Sequence, residues 1–400
     1  MPFKVLTLNS ISALGLERLP RDCYEVASNI ADPDAIIVRS ADMHELVIPA
    51  SVKAVARAGA GTNNVPVARL SRSGIPVFNA PGANANAVKE LVIAGLFLSA
   101  RNICQAWSHV RDLKGDDRAL ERAVEKGKQT FVGHELPGRV LGVVGLGAIG
   151  VEVANAAQRL GMRVLGFDPE LTVSRALQLS SGVERTQSLD DLFARADMVT
   201  VHVPLADATR HLVNAARLRL MRNGGTILNF SRVGIVDVTA LVDALDDGKL
   251  ASYICDFPTN AIKDHPKVVA LPHLGASTHE AEEKCAIMVA ETLREFLENG
   301  NIRNAVNFPE VVLARAPGQT RVSVANANVP NVVGQISTAL AAANLNIANL
   351  LNKSRGDLAY ALIDIDGPLP ESMLATIRGI PGVLAVRSVG VAHPMANETH

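Results

Sequence analysis

His273 sits in LPHLGAST, residues 271–278, between a proline and a glycine. Imidazole is the side chain that ionises nearest neutral pH, so a histidine held in a cleft can pass a proton. A histidine at a strand end, bound to a carbonyl, does nothing chemical, and residue type alone does not separate the two cases. Its company does. Arg232, in NFSRVGIVD, follows a strand-like run, where a guanidinium can clamp a carboxylate bidentately and polarise the carbonyl beside it. Gly145, Gly147 and Gly150, in GVVGLGAIG, form G-x-G-x-x-G directly between an apolar strand run and the helical VEVANAAQRLG. In that setting the glycines allow the tight turn, admit a pyrophosphate to the helix N-terminus and let helix pack on strand. The motif is weak evidence by itself. Here the next strand run, RVLGF, ends in Asp168, about where an acid should hold the two adenosine ribose hydroxyls. An acid there favours NAD over NADP, whose extra phosphate it would repel.

Further toward the N-terminus, two stretches could hold an anion. Arg39-Ser40 closes one strand run. Arg57 opens RAGAGTNN, which offers the backbone N–H groups of Ala58, Gly59, Ala60 and Gly61. A glycine-rich turn beside a guanidinium can bind a carboxylate or a phosphate. Taken singly, each arginine fits a solvated surface charge equally well.

These residues need elements to position them. Over residues 1–95, short apolar runs (FKVLTL, AIIVRS, VKAVARAG, IPVFNA) alternate with helix-like stretches, the rhythm of β-α units feeding a parallel sheet. One long helix is expected from Ala87 to about His109, with Asn86 as its cap, and residues 112–138 read as surface connection. From 139 to about 280 six further strand candidates alternate with helices, the pattern of a doubly wound sheet. An amphipathic helix covers 281–300, and 308–317 reads as a linker. The last segment, 318–392, runs β-α-β-β-α-β, a ferredoxin-like order with a hairpin turning at Ser354 to Asp357. The expected fold class is therefore α/β: two Rossmann-like lobes plus a small ferredoxin-like unit.

The bulk numbers agree. Four hundred residues at 48% hydrophobic content support two or three domains. With 39 Lys plus Arg against 40 Asp plus Glu, no global field would gather nucleic acid or an anionic membrane. The four cysteines are widely spaced, which argues against a zinc site or a disulfide framework; no metal is expected. No signal peptide opens the chain and no apolar run is long enough to span a bilayer, so a cytoplasmic location is expected.

In order, GLGAIG, Asp168, NFSRVGIVD, CDF and PHLGAST resemble the D-2-hydroxyacid dehydrogenases over residues 1–307, and 318–392 resembles an ACT regulatory domain. The N-terminal VRS, RAGAGTNN and NAPGANANAVKE are similar to the branch of that family that oxidises 3-phospho-D-glycerate to 3-phosphooxypyruvate, the first step of phosphorylated serine biosynthesis. The resemblance implies a substrate lobe at 1–95 and 282–307 and an NAD lobe at 96–281. It implies that Ala60, Ala148, Ile149, Asp168, Val203, Phe230, Asp256, Gly275 and Ala276 line NAD with the three glycines. Arg39, Ser40, Arg57 and the backbone at Ala58 and Gly59 would face the substrate. His273 would be the acid/base and Arg232 would hold the carboxylate. A homodimer or homotetramer is implied. Competing readings are a dehydrogenase of another 2-hydroxy acid, such as 2-hydroxyglutarate, and an NAD-sensing regulatory protein.

One departure stands out. The family supplies a glutamate a few residues after the aspartate of a DVF motif, bonded to the catalytic histidine. This chain has DFPTNAIKD, one residue shorter, so Asn260 or Ala261 falls where the glutamate belongs, with Asp264 a further substitute. Asparagine can orient the ring but cannot stabilise imidazolium by charge. In the ACT-like segment, Asn326, Asn328 and Asn346 match positions that bind L-serine in regulated relatives, with Gly334 in the first helix. L-serine is therefore the candidate effector, and oligomerisation alone is the competing role.

Overall fold

The structure is a computed structural model that describes residues 2–316 and 318–389. Pro317 of the expected linker and positions 390–392 of the expected C-terminal domain lie outside the described residues. Contacts divide the chain into two compact units, 1–84 with 279–400, and 85–278.

In the first unit, five parallel strands lie in the spatial order Tyr24–Ala27, Phe3–Leu8, Ala35–Val38, Ala54–Arg57, Val77–Phe78. The central AIIV and AVA runs are wholly buried, as expected of strands covered on both faces. The helix His279–Asn299 packs its apolar stripe, including Val289, Leu293 and Phe296, into the same core. Phe308 and Val311, at the start of the stretch expected to be a linker, belong to that core as well.

The four-stranded antiparallel sheet of this unit has the order Ile347–Arg355, Leu358–Ile365, Thr320–Ala327, Val383–Val389. Its element order is the expected β-α-β-β-α-β. Period-two alternation decides which side each residue serves. Val322, Val324, Ala361 and Ile363 turn to the helices Val332–Ala342 and Glu371–Arg378. Ala325, Tyr360 and Leu362 share a core with Phe78 and Phe296. On this second face Arg321 and Asp364 form a fully buried pair at 2.7 and 2.9 Å, and Arg321 also donates to the carbonyls of Asn299, Leu313 and Ala314. The guanidinium thereby satisfies the orphan carbonyl at the end of the 279–299 helix.

The second unit holds seven parallel strands: Val268–Ala270, Leu250–Cys255, Gly225–Asn229, Met198–Val201, Val140–Val144, Arg163–Phe167, Val183–Arg185. Strand order reverses between Val140–Val144 and Met198–Val201, and ligands of open α/β sheets bind at such a switch point, outside the carboxyl ends of the strands.

Two expectations need correction. The single helix from Ala87 to His109 is two, Ala85–Ala100 and Ile103–Asp112, broken where Asn102 takes a left-handed conformation (φ 50°). Asparagine visits that region readily, so the break costs little. Asn86 lies inside the first helix, donating to Glu90, and caps nothing. Residues 112–138 are also not all connection. Asp117–Gly127 is a helix capped by Asp116, whose carboxylate accepts the Ala119 N–H at 2.8 Å. None of its residues is buried, so its polar sequence hid the periodicity.

Candidate active site

In the second unit, the strand Val140–Val144 delivers the chain into the glycine turn. Gly145 has φ 88°, and a Cβ there would lie 2.6 Å from the His202 carbonyl oxygen. At Gly150 a Cβ would stand 1.8 Å from the Gly145 carbonyl oxygen, so helix and turn meet only if this residue is glycine. Gly147 differs: nothing lies within 4 Å of the position its Cβ would take. That open cradle stands at the N-terminus of the helix Ala148–Arg159, where backbone N–H groups and the dipole favour an anion. Asp168 follows the strand Arg163–Phe167, and its carboxylate accepts the N–H groups of Leu146 and Glu170, both at 2.8 Å. The acid is thus held against the turn, and the residues present fit a dinucleotide.

Val203 also touches this turn, since its Cγ1 lies 2.9 Å from where a Gly145 Cβ would stand. Its neighbour His202 keeps some exposed surface, but its ring nitrogens lie inside. Nε2 is 3.0 Å from the Thr200 hydroxyl, Nδ1 has no partner among the described residues, and desolvation pushes the imidazole down to about 3. Ala148 and Ile149 open the helix, and Phe230 is buried after the strand Gly225–Asn229.

At the far end of that sheet, Asp256 is buried directly after the strand Leu250–Cys255. Its Oδ2 accepts the Gly275 N–H at 3.0 Å, while Oδ1 is sealed from solvent and makes no hydrogen bond among the described residues. Desolvation raises its carboxyl above the usual range, partly offset by the Gly275 hydrogen bond. Gly275 fits against both Asp256 and Val88, where an added Cβ would come within 3.3 and 3.4 Å. Ala276 follows, partly buried.

Phe257 is the residue that sequence reasoning missed. Its ring centroid lies 4.5 Å from that of His273, and the Arg232 guanidinium stands 5.6 Å from the same centroid. The two residues singled out for chemistry therefore meet on one aromatic ring. Arg232 is fixed further by donating to the Ser231 carbonyl at 2.6 Å, while Asn229 grips the Arg232 carbonyl at 2.9 Å. The sequence signal was only the F of CDF, and nothing in its spacing announces a contact sixteen residues away.

The structure does not bring Asn260 to His273. Asn260 is exposed in a turn closed by the Ile262 and Lys263 N–H groups on the Thr259 carbonyl, and no hydrogen bond joins it to the histidine among the described residues. Asp264 pairs with Lys263 at 2.8 Å and is likewise not engaged with His273. His273 itself is exposed.

In the first unit, the 39–41 loop is held by two asparagines absent from the expected set. Asn9 accepts the N–H groups of Ser40 and Ala41 at 3.3 and 2.6 Å, and Asn64 donates to the carbonyls of Arg39 and Ala41. Arg39 is ion-paired with Glu282. The Arg57 guanidinium lies over Gly59, 1.8 Å from where a Cβ would be. The backbone at Ala58 and Gly59, expected to face the substrate, is already committed: these N–H groups donate to Val38 and Arg57 carbonyls at 2.8 Å each. The strand ends too late to release them. The N–H groups of Ala60 and Gly61 make no hydrogen bond among the described residues, and Asn79 fixes the loop through the Ala60 carbonyl at 2.6 Å.

A parallel sheet with a glycine cradle at its switch point and an acid at the end of the next strand defines a dinucleotide-binding oxidoreductase. The chain belongs to the D-isomer specific 2-hydroxyacid dehydrogenase family, whose NAD binding domain matches residues 94–279. It is 33% identical to the D-3-phosphoglycerate dehydrogenase of Escherichia coli (strain K12) over 382 residues, 92% of this chain and 89% of that one. Similarity to the D-3-phosphoglycerate dehydrogenase of Methanocaldococcus jannaschii is 35% over 296 residues, 72% of this chain and 54% of the relative. The chain thus spans little more than half the length of several curated relatives it matches. Among solved structures, the apo D-mandelate dehydrogenase of Rhodotorula graminis superposes with a TM-score of 0.65 at 25% identity, covering 79% of this chain and all of that one.

Proposed function

We propose that the chain oxidises 3-phospho-D-glycerate to 3-phosphooxypyruvate with NAD, the first step of phosphorylated serine biosynthesis. The observation that carries the reading is the shared ring: His273 and Arg232, a proton acceptor and a carboxylate clamp, both rest on Phe257 beside the buried Asp256. Bound NAD supplies the hydride acceptor. Arg232 holds the substrate carboxylate and the carbonyl that develops at C2, and His273 takes the C2 hydroxyl proton. Asp168 would hold the adenosine ribose, and Asp256 would help line the NAD site. In the first unit, Arg57 with the Ala60 and Gly61 N–H groups would take the phosphate, and Arg39 would do so only in competition with Glu282. The names of the relatives support the same substrate.

The proposal includes a homo-oligomer in the cytoplasm. No helix among the described residues is long and apolar enough to cross a membrane. The helix Ile103–Asp112 buries none of its residues and exposes Ile103, Trp107 and Val110, spaced to lie on one face, an apolar stripe suited to a second copy. We also propose that residues 318–392 form an ACT domain that answers to L-serine. Asn326 is buried, its Oδ1 without a partner among the described residues, and Asn328 donates to the Gly356 carbonyl at the same end of the sheet. Asn346 lies at the other end, bonded to Asp366 at 2.7 Å. The intervening span along Thr320–Ala327 is about 23 Å at roughly 3.3 Å per residue, so one copy cannot close a serine between these asparagines. A second copy, with its exposed edge strand Ile347–Arg355 paired antiparallel to the first, would bring its own Asn346 to the Asn328 end.

The test is NADH oxidation with 3-phosphooxypyruvate and with 2-oxoglutarate, each with and without L-serine. Preference for the phosphorylated acid is the expected result. Preference for 2-oxoglutarate would move the substrate, and NADH binding without any turnover would make the chain a sensor.

A further inference from the structure

Within the first unit, a cavity of about 850 Å³ opens between the parallel-sheet lobe and the C-terminal antiparallel sheet. Its walls are the 45–53 loop and the 69–75 turn on one side, and the strand Val383–Val389 with Ser323 and Tyr360 on the other. The two sides touch at Gly74, where an added Cβ would come within 2.8 Å of Ala385. Ligand pockets run roughly 300–1,000 Å³, and this cleft falls within that range.

The lining is unbalanced in charge. Lys53, Arg69, Arg378 and Arg387 line it, against Glu45 as the single acid among the lining residues. Of the four cations only Lys53 has a carboxylate partner among the described residues, Asp34 at 2.6 Å. Arg69 spends Nη2 on the Met43 and Leu46 carbonyls at 3.0 and 2.9 Å, while its Nε is sealed from solvent and unpartnered. Arg387 lies over the Phe296 ring, 4.1 Å from its centroid, and its guanidinium is already spent on the Ser323 hydroxyl at 3.2 Å and on the Phe296 and Leu297 carbonyls. Arg378 ends the helix Glu371–Arg378, exposed and without a partner among the described residues. Between these charges the wall is apolar, with Ile48, Ile75 and Leu384.

We propose that this cavity is a second ligand site, separate from the dinucleotide and hydroxy-acid residues, for a small organic anion: a carboxylate or phosphate head on an apolar body. The head is held by Arg378 with Arg69, and the body by the aliphatic wall. A ligand so placed contacts both the lobe and the C-terminal sheet, and its binding does not depend on which hydroxy acid the chain oxidises.

The test is calorimetric titration of the full chain, saturated with NADH, with phenyl phosphate, benzoate, inorganic phosphate and phenol. The wild type is compared with Arg378→Glu, a surface change, and Ile48→Trp, which fills the apolar wall. Phenyl phosphate or benzoate is expected to bind, with affinity falling about tenfold or more in each variant while turnover is kept, since reversing or blocking one partner of a charged contact costs at least that much. Whichever of the two binds more tightly names the head group. Equal binding in all three proteins would place the anion elsewhere and overturn the proposal. So would phenol or inorganic phosphate binding as well as the organic anions, because neither carries both halves of the recognition.

Discussion

The glycine turn and the histidine loop belong to the same unit and are built in opposite ways. Around Gly145, backbone does the holding: Asp168 is fixed by two N–H groups, and Gly150 is fixed by the absence of a side chain. Around His273 a side chain does it, since the ring lies against Phe257 and no hydrogen bond to a carboxylate orients it among the described residues. The first arrangement is rigid before any ligand arrives. The second has a single aromatic support and leaves the proposed acid/base exposed. The difference teaches that this chain preorganises its cofactor site more than the site proposed for proton transfer.

The largest effect should come from breaking the looser half. His273→Ala is expected to lower turnover by about 10²–10⁴-fold, the range for a lost general acid/base, with NADH affinity unchanged by fluorescence titration. Loss of NADH binding in step with turnover would mean that the two halves are not separable. Next, Gly150→Ala should break the rigid half. A methyl group 1.8 Å from a backbone oxygen must move the turn, costing about 1–3 kcal/mol or more in stability and weakening NADH in parallel, read by thermal melts with and without NADH.

What could be read in advance follows the same division. The glycine turn, Asp168 and the central strands were legible because each rests on local rules: a glycine where no Cβ fits, an apolar run of strand length. The edge strands Tyr24–Ala27 and Val183–Arg185 escaped notice, being short and partly polar. The helix break at Asn102 depends on one left-handed residue that no periodicity reveals. Phe257, Asn9 and Asn64 escaped because their roles are contacts across the fold. The committed N–H groups at Ala58 and Gly59 show the same limit, since a glycine-rich turn announces donors without saying whether a neighbouring strand has already taken them.

Phe257→Leu sharpens the comparison by removing the shared ring while keeping apolar bulk. Turnover is expected to fall about tenfold with KM for the hydroxy acid raised, because both Arg232 and His273 lose their support, and misplacement of reacting groups is costly. An unchanged KM would confine the role of Phe257 to the histidine. His202 provides the pH counterpart on the rigid side. Its ordinary value of 6.5 falls to about 3 in the folded chain, so the unfolded state binds the proton more readily. Stability is therefore full above about 6.5 and is lost progressively as pH falls toward 3. Urea unfolding at pH 5 and pH 7.5 should show a loss of about 2 kcal/mol that His202→Gln removes. An identical pH dependence in the variant would assign the acid sensitivity to other groups.

The smallest expected effect is the most discriminating. Asn260 is, with Ala261, one of the two residues that the resemblance sets where the family's glutamate belongs, yet its turn is anchored the other way, by Ile262, which is 2% exposed, so that Asn260 faces solvent. If the exposed acid/base works without a side-chain partner, Asn260→Ala should leave kcat and KM within about twofold, the scale of a neutral surface substitution. A tenfold fall in kcat alone would mean that substrate draws the turn over the ring and that the shortened motif still supplies an orienting group. In that case Asn260→Asp should move the pH profile, since an added carboxylate favours imidazolium, whereas a turn that stays open would leave the profile where it was.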